Sequence, residues 1–148
     1  MLPRLLLTGA ALCSAVACTT GPVTPTLQTP LTGEWSGTFE SSWGRLPVKA
    51  TLANDPYSQS ISGSYVLVGG RATGTIDGAL QTGATDNAGL FHGTITISYA
   101  IPDGQTCRSS SGGQSGSATS TRFAIESAGF TTGDCPDPPT TIRITLAR

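Results

Sequence analysis

The sequence predicts an all-β domain: an antiparallel up-and-down meander closing into a small barrel of seven or eight strands, with a β-sandwich as the alternative. Three observations point there. Apolar residues recur at every second position in short runs, and that alternation places them on one face of a strand. Glycines fall on those same faces, where a missing side chain permits tight coiling of a sheet. No stretch of the domain carries the 3.6-residue period of a helix. Composition agrees, since 19 glycines and only 11% charged residues, with many Thr and Ser, favour strands over charged surface helices. Closure into a barrel would also remove the edges that an open meander exposes.

The run Leu31-Thr32-Gly33-Glu34-Trp35-Ser36-Gly37-Thr38-Phe39-Glu40 opens the domain. Trp35, Gly37 and Phe39 share one face, and Glu34, Ser36, Thr38 and Glu40 the other. After a turn at Ser41-Ser42-Trp43-Gly44, Arg45 to Ala53 puts Leu46, Val48, Ala50 and Leu52 on one side. Pro47 in that run lacks a ladder donor, which predicts an edge or a bulge. Asn54 to Gln59 reads as a turn. Ser60 to Val68 aligns Ile61, Gly63, Tyr65 and Leu67. Gly69-Gly70 then closes a short hairpin to Ala72–Leu80, where Ala72, Gly74, Ile76, Gly78 and Leu80 align. Gln81 to Gly89 is a polar connection. Leu90 to Tyr99 brings Phe91, Gly93, Ile95, Ile97 and Tyr99 together. From Pro102 to Gly116 the pattern fades into Ser, Gly and Gln and predicts loop. Ser117 to Ser127 carries one or two strands around Ala118, Phe123 and Ile125. Asp134 to Pro139 is loop, and Thr140 to Ala147 ends the chain with Ile142, Ile144 and Leu146 inward.

The domain, residues 32–148, is preceded by two segments of different character. Residues 1–17 hold one positive charge at Arg4, an apolar run from Leu5 to Leu12, and the small-residue ending Ala15-Val16-Ala17. That is the layout of a secretory signal peptide. The ending before Cys18 resembles a bacterial lipobox, and the resemblance implies diacylglyceryl transfer to the Cys18 thiol, cleavage before it, and acylation of the new amine. An ordinary A-x-A cleavage would cut the same bond and leave a plainly secreted protein. Once Cys13 departs with the signal, three cysteines remain, an odd number that lipidation of Cys18 resolves. Several acyl chains such as palmitate exceed the two-signal threshold for stable anchoring. Residues 18–31 then hold the lipidated Cys and a Thr/Pro-rich tether, whose dozen residues from Thr19 to Pro30, extended at about 3.1 Å per residue, span nearly 40 Å.

Cys107 and Cys135 stand 28 positions apart in the two most loop-like stretches. In an oxidising envelope they are expected to form a disulfide worth about 3–4 kcal/mol. Neither has a His or second Cys at ligand spacing, so no metal and no cofactor is expected.

Charge is nearly balanced, eight basic against nine acidic residues, and no basic stripe exists for nucleic acid. Ordinary catalytic equipment is also missing. His92 falls on an outward face beside Thr94 and Thr96, without an orienting partner or nucleophile. Glu34, Glu40, Asp77 and Glu126 alternate outward rather than converging in a cleft. Asp134 and Asp137 match no calcium loop. The sequence therefore predicts a non-enzymatic module.

Gly33-Glu34-Trp35 resembles the Gly-x-Trp that opens the first strand of lipocalin-like barrels, and this implies a tryptophan packed across one barrel end. Together with the lipobox, Gly/Thr-rich hairpins and a late cysteine pair, the chain resembles bacterial envelope lipoproteins. The expected role is a membrane-anchored binding or structural module, held to a lipid bilayer through acylated Cys18 and, in a Gram-negative cell, to the outer membrane. Two alternatives follow from the same resemblance. One is a lipocalin-like carrier of a small apolar ligand, with Trp35, Tyr65, Phe91 and Tyr99 lining its interior. The other is a partner of an envelope protein, such as an inhibitor of an envelope-targeting enzyme. Trp43 in its turn is the candidate surface contact, unless its ring folds over the barrel rim.

Overall fold

A computed structural model describes residues 31–55, 57–82, 88–130 and 135–148. The signal segment 1–17, Cys18 and the tether as far as residue 30 lie outside the described residues, as do Pro56, residues 83–87 and Asp134. Eight strands follow in order: β1 (Gly33–Ser41), β2 (Gly44–Asp55), β3 (Ser60–Leu67), β4 (Ala72–Thr82), β5 (Ala88–Ala100), β6 (Thr106–Thr119), β7 (Arg122–Gly129) and β8 (Thr140–Ala147). Each pairs antiparallel with the next, and β8 returns to β1, so the meander is a closed barrel.

The register sets the stagger. Stepping across paired residues from Asp55 leads through Ser60, Ala79, His92, Ser115, Glu126, Arg143 and Glu40. The path then re-enters β2 at Arg45, ten residues from where it began. Eight strands tilted by about 35–45° enclose a space that side chains can fill, and here they do. Trp35, Phe39, Val48, Leu52, Ile61, Tyr65, Ile76, Phe91, Ile95, Ile97, Ile125, Ile144 and Leu146 are all buried in one continuous cluster.

The inward glycines explain how the wall coils so tightly. A Cβ at Gly37 would strike the Thr145 carbonyl of β8, and one at Gly93 would strike the Asp77 carbonyl of β4. The bare positions are roofed by neighbours. The Tyr65 ring lies over Gly74, Phe91 over both Gly78 and Gly93, and Leu52 over Gly63. Large side chains beside missing ones keep the interior filled where the backbones approach most closely.

Two expectations are corrected. Residues 106–116 are not loop but most of β6, the longest strand, so Cys107 sits in a strand. Pro47 lies neither at an edge nor at a bulge. It pairs with Thr38 inside the closed wall, at the limit of the β2–β3 ladder, where its carbonyl accepts from the Val68 amide (2.8 Å). A ladder end needs no donor from it.

The topology divides the barrel's two ends. The β1–β2, β3–β4, β5–β6 and β7–β8 connections share one rim. The chain enters at the other, where the Asn54 side chain accepts from the amides of Leu31 (2.7 Å) and Thr32 (3.2 Å). At that entry end Trp35 donates its indole N–H to the Leu31 carbonyl (2.8 Å), and the Arg148 guanidinium lies 4.5 Å from its ring centroid.

Candidate functional site

The four residues expected to line a ligand cavity are all buried; Trp35 and Tyr65 both border one cleft across β1, β2 and β3, whereas Phe91 and Tyr99 lie apart from it. Trp35 belongs to the entry end. Phe91 packs edge-on against Phe123, Tyr65 stacks on Phe39, and Tyr99 meets Trp43 near the opposite rim. No ring contact among the described residues joins two of the four.

Tyr65 shows why such a residue serves the wall. Its ring crosses Gly74, and its hydroxyl donates to the Thr96 carbonyl (2.8 Å) on β5, while the Thr75 amide donates to the Thr96 hydroxyl (3.0 Å). Burial holds this phenol protonated far above the ordinary tyrosine range. The native state therefore keeps a proton that the unfolded chain loses near pH 10. The stabilisation is fully present below about pH 10 and falls as pH rises beyond it toward the folded value. Tyr65→Phe is expected to lower stability at pH 7 by about 1 kcal/mol, because the hydroxyl's bond to the Thr96 carbonyl is lost. It should also flatten the alkaline decline. Urea denaturation at pH 7 and above pH 10 checks both.

Three clefts formed by the described residues lie on the outer wall and the rim. One groove of about 700 Å³ runs over β8 between Glu40 and Glu126. Its charges are already engaged, Glu126 with Arg143 (2.8 Å) and Glu40 with Arg45 (3.2 Å). A second, of about 440 Å³, crosses β1, β2 and β3 past Lys49, Ser64 and Val66.

The third, of about 250 Å³, sits at the rim and draws on all four connections there. Trp43 comes from β1–β2, Arg71 from β3–β4, Ile101 and Pro102 from β5–β6, and Pro136 and Asp137 from β7–β8. Trp43 is folded over the rim, its ring 4.9 Å from that of Tyr99 at 78°. The Arg71 guanidinium lies 5.7 Å from its centroid on the outer side, a cation–π contact. Trp43 Nε1 donates to the Asp137 carbonyl (3.2 Å), and Tyr99 Oη donates to the Pro136 carbonyl (2.9 Å). Burial raises the Tyr99 phenol, a shift opposed by its hydrogen bond with Ser109 and reinforced by the Asp137 charge.

A disulfide holds this arrangement. Cys107 of β6 and Cys135 are bonded, with Cα atoms 5.6 Å apart. Beneath them the β6–β7 ladder is short, pairing only residues 115–118 with 123–126. The first half of β6 meets β7 through side chains instead. Ser111 Oγ donates to the Gly129 carbonyl (2.6 Å), and Gln114 donates to Ser111 Oγ and to the Gly112 carbonyl. The covalent link closes the seam that the backbone leaves weakly paired.

These features define a class, a small closed eight-stranded antiparallel barrel with a disulfide-pinned rim, consistent with a lipocalin-like barrel. No family model matches the chain, and no curated protein or solved structure matches it either. Sequence reasoning named Trp43 but missed Arg71 and the Pro136-Asp137 carbonyls, which only the closure of the barrel brings to it. Among the described residues no three His, Cys, Asp or Glu side chains converge as a metal site, and His92 is exposed on the outer wall.

Proposed function

We propose that this protein is a lipid-anchored envelope module that binds through its outer surface, without catalysis, and that the rim opposite the chain entry is its working end. The observation that carries the reading is the filled interior. Trp35, Tyr65 and Phe91 are spent on packing and on roofing glycines, which favours wall and rim over a carried apolar ligand. The Cys18 signal supports the anchor. A tether entering at one end would present the other end, with Trp43 and Arg71, away from the bilayer. The lipocalin-like carrier and the enzyme inhibitor are the competing readings, and the packed core weighs against the first.

Intact-mass analysis of the protein from the envelope fraction tests the anchor. The expected species starts at Cys18, carries added acyl mass, and is lighter by two hydrogens for one disulfide. An unmodified amine and free thiol at Cys18 would overturn it.

A further inference from the structure

We infer that the rim is a docking groove for proline-containing peptides, occupied in this structure by the chain's own Pro136–Pro139 segment. The inference rests on reading the rim as the working end, but not on the lipid anchor. The ligand class is defined by what already sits there. Pro136-Asp137-Pro138-Pro139 has three residues without an amide N–H, so it presents carbonyl acceptors and apolar rings but almost no donors. The rim supplies the complement. Tyr99 Oη and Trp43 Nε1 donate to two successive carbonyls of the segment, and the two aromatic rings give an apolar shelf. Aromatic grooves that recognise proline-rich ligands work from these same elements.

Two further facts make the occupant replaceable. Asp137 is held at φ 49°, a left-handed bend that Asp tolerates better than most side chains and that fits this one segment to the rim. A peptide arriving in trans need not accept that bend. Beside the segment, the cleft bounded by Arg71, Ile101 and Pro102 leaves room for more of a ligand than the four residues fill. What keeps the segment in place is its attachment. Cys135 immediately precedes Pro136 and is bonded to Cys107, while Thr140 begins β8 on the other side. A segment fixed at both ends competes as though present at roughly millimolar concentration or above, so a free peptide is excluded until one attachment is cut.

The test uses the whole chain and a synthetic peptide of residues 19–30, which carries Pro22, Pro25 and Pro30, with an all-alanine replacement of those prolines as control. Binding is read by isothermal titration calorimetry in every variant, and also by tryptophan emission where Trp43 is retained, since Trp43 is half-exposed and Trp35 buried. The oxidised wild type should show no saturation below roughly millimolar peptide. A variant carrying Cys107→Ser and Cys135→Ser should bind the proline peptide about tenfold more tightly or better, ignore the control, and lose binding with Trp43→Ala. A second variant, Pro136→Ala with Pro138→Ala, weakens the occupant with the disulfide intact and should shift affinity in the same direction, deciding the matter if the cysteine variant does not fold. Folded variants that bind no better than wild type, or that take the control peptide equally well, would overturn the inference.

Discussion

Replacing Gly74 with valine is expected to destabilise the domain by about 3 kcal/mol or more, the upper end of overpacking effects. The first carbon of any side chain there would strike the Thr96 carbonyl, and it would stand 2.5 Å from the Tyr65 ring. The carbonyl belongs to the ladder and cannot swing aside. The ring cannot retreat either, because its hydroxyl is bonded to that same carbonyl. Of a net stability of about 5–15 kcal/mol, such a loss is a large share, and the melting temperature should fall by roughly 10 °C or more. Gly112→Ala is the control. Its added carbon would meet only the Thr94 hydroxyl, at 4.0 Å, and should change stability by less than about 1 kcal/mol. Equal losses at the two positions would contradict the roofing of Gly74 by Tyr65.

Removing the Cys107–Cys135 link should cost about 3–4 kcal/mol, the chain-entropy value for a loop of 28 positions. The effect should also be local. The first half of β6 has no backbone ladder to β7, so once the link is cut it is held on that side by side-chain bonds such as those of Ser111 to Ser127 and to the Gly129 carbonyl. Amide hydrogen exchange is expected to rise at residues 106–114 and 127–130, while β2, β3 and β4 stay protected. Thermal melts with and without a dithiol reductant give the global number, and exchange mass spectrometry gives its location. An unchanged melt, or exchange rising evenly around the barrel, would show that the seam is closed by something else.

The difference between β6 and the other strands shows what the sequence could reveal. From Arg45 to Tyr99 the inward positions are apolar or glycine, and the alternation reads directly. Midway along β6 the inward positions are Ser109, Ser111 and Gln114: Gln114 donates to Ser111, Ser109 bonds Tyr99, and apolar burial resumes only at Ala118. The period also shifts midway. Gly112 and Gly113 together face Thr94, a one-residue bulge with Gly113 at φ 70°, so inward residues are odd-numbered before it and even-numbered after it. A strand with neither grease nor constant parity leaves no periodic trace, and its pairing is imposed by β5. The rim was hidden for a related reason. Trp43 and Pro136 are 93 positions apart, and nothing local to either announces that four hairpin ends converge.

Side chains, not a ligand, occupy the barrel. Titrating the oxidised protein with a fluorescent fatty-acid analogue, while following Trp35 by energy transfer in a Trp43→Phe background, tests this most directly. A filled barrel gives no saturable uptake and leaves Trp35 unperturbed. One-to-one saturating uptake that quenches Trp35 would contradict it.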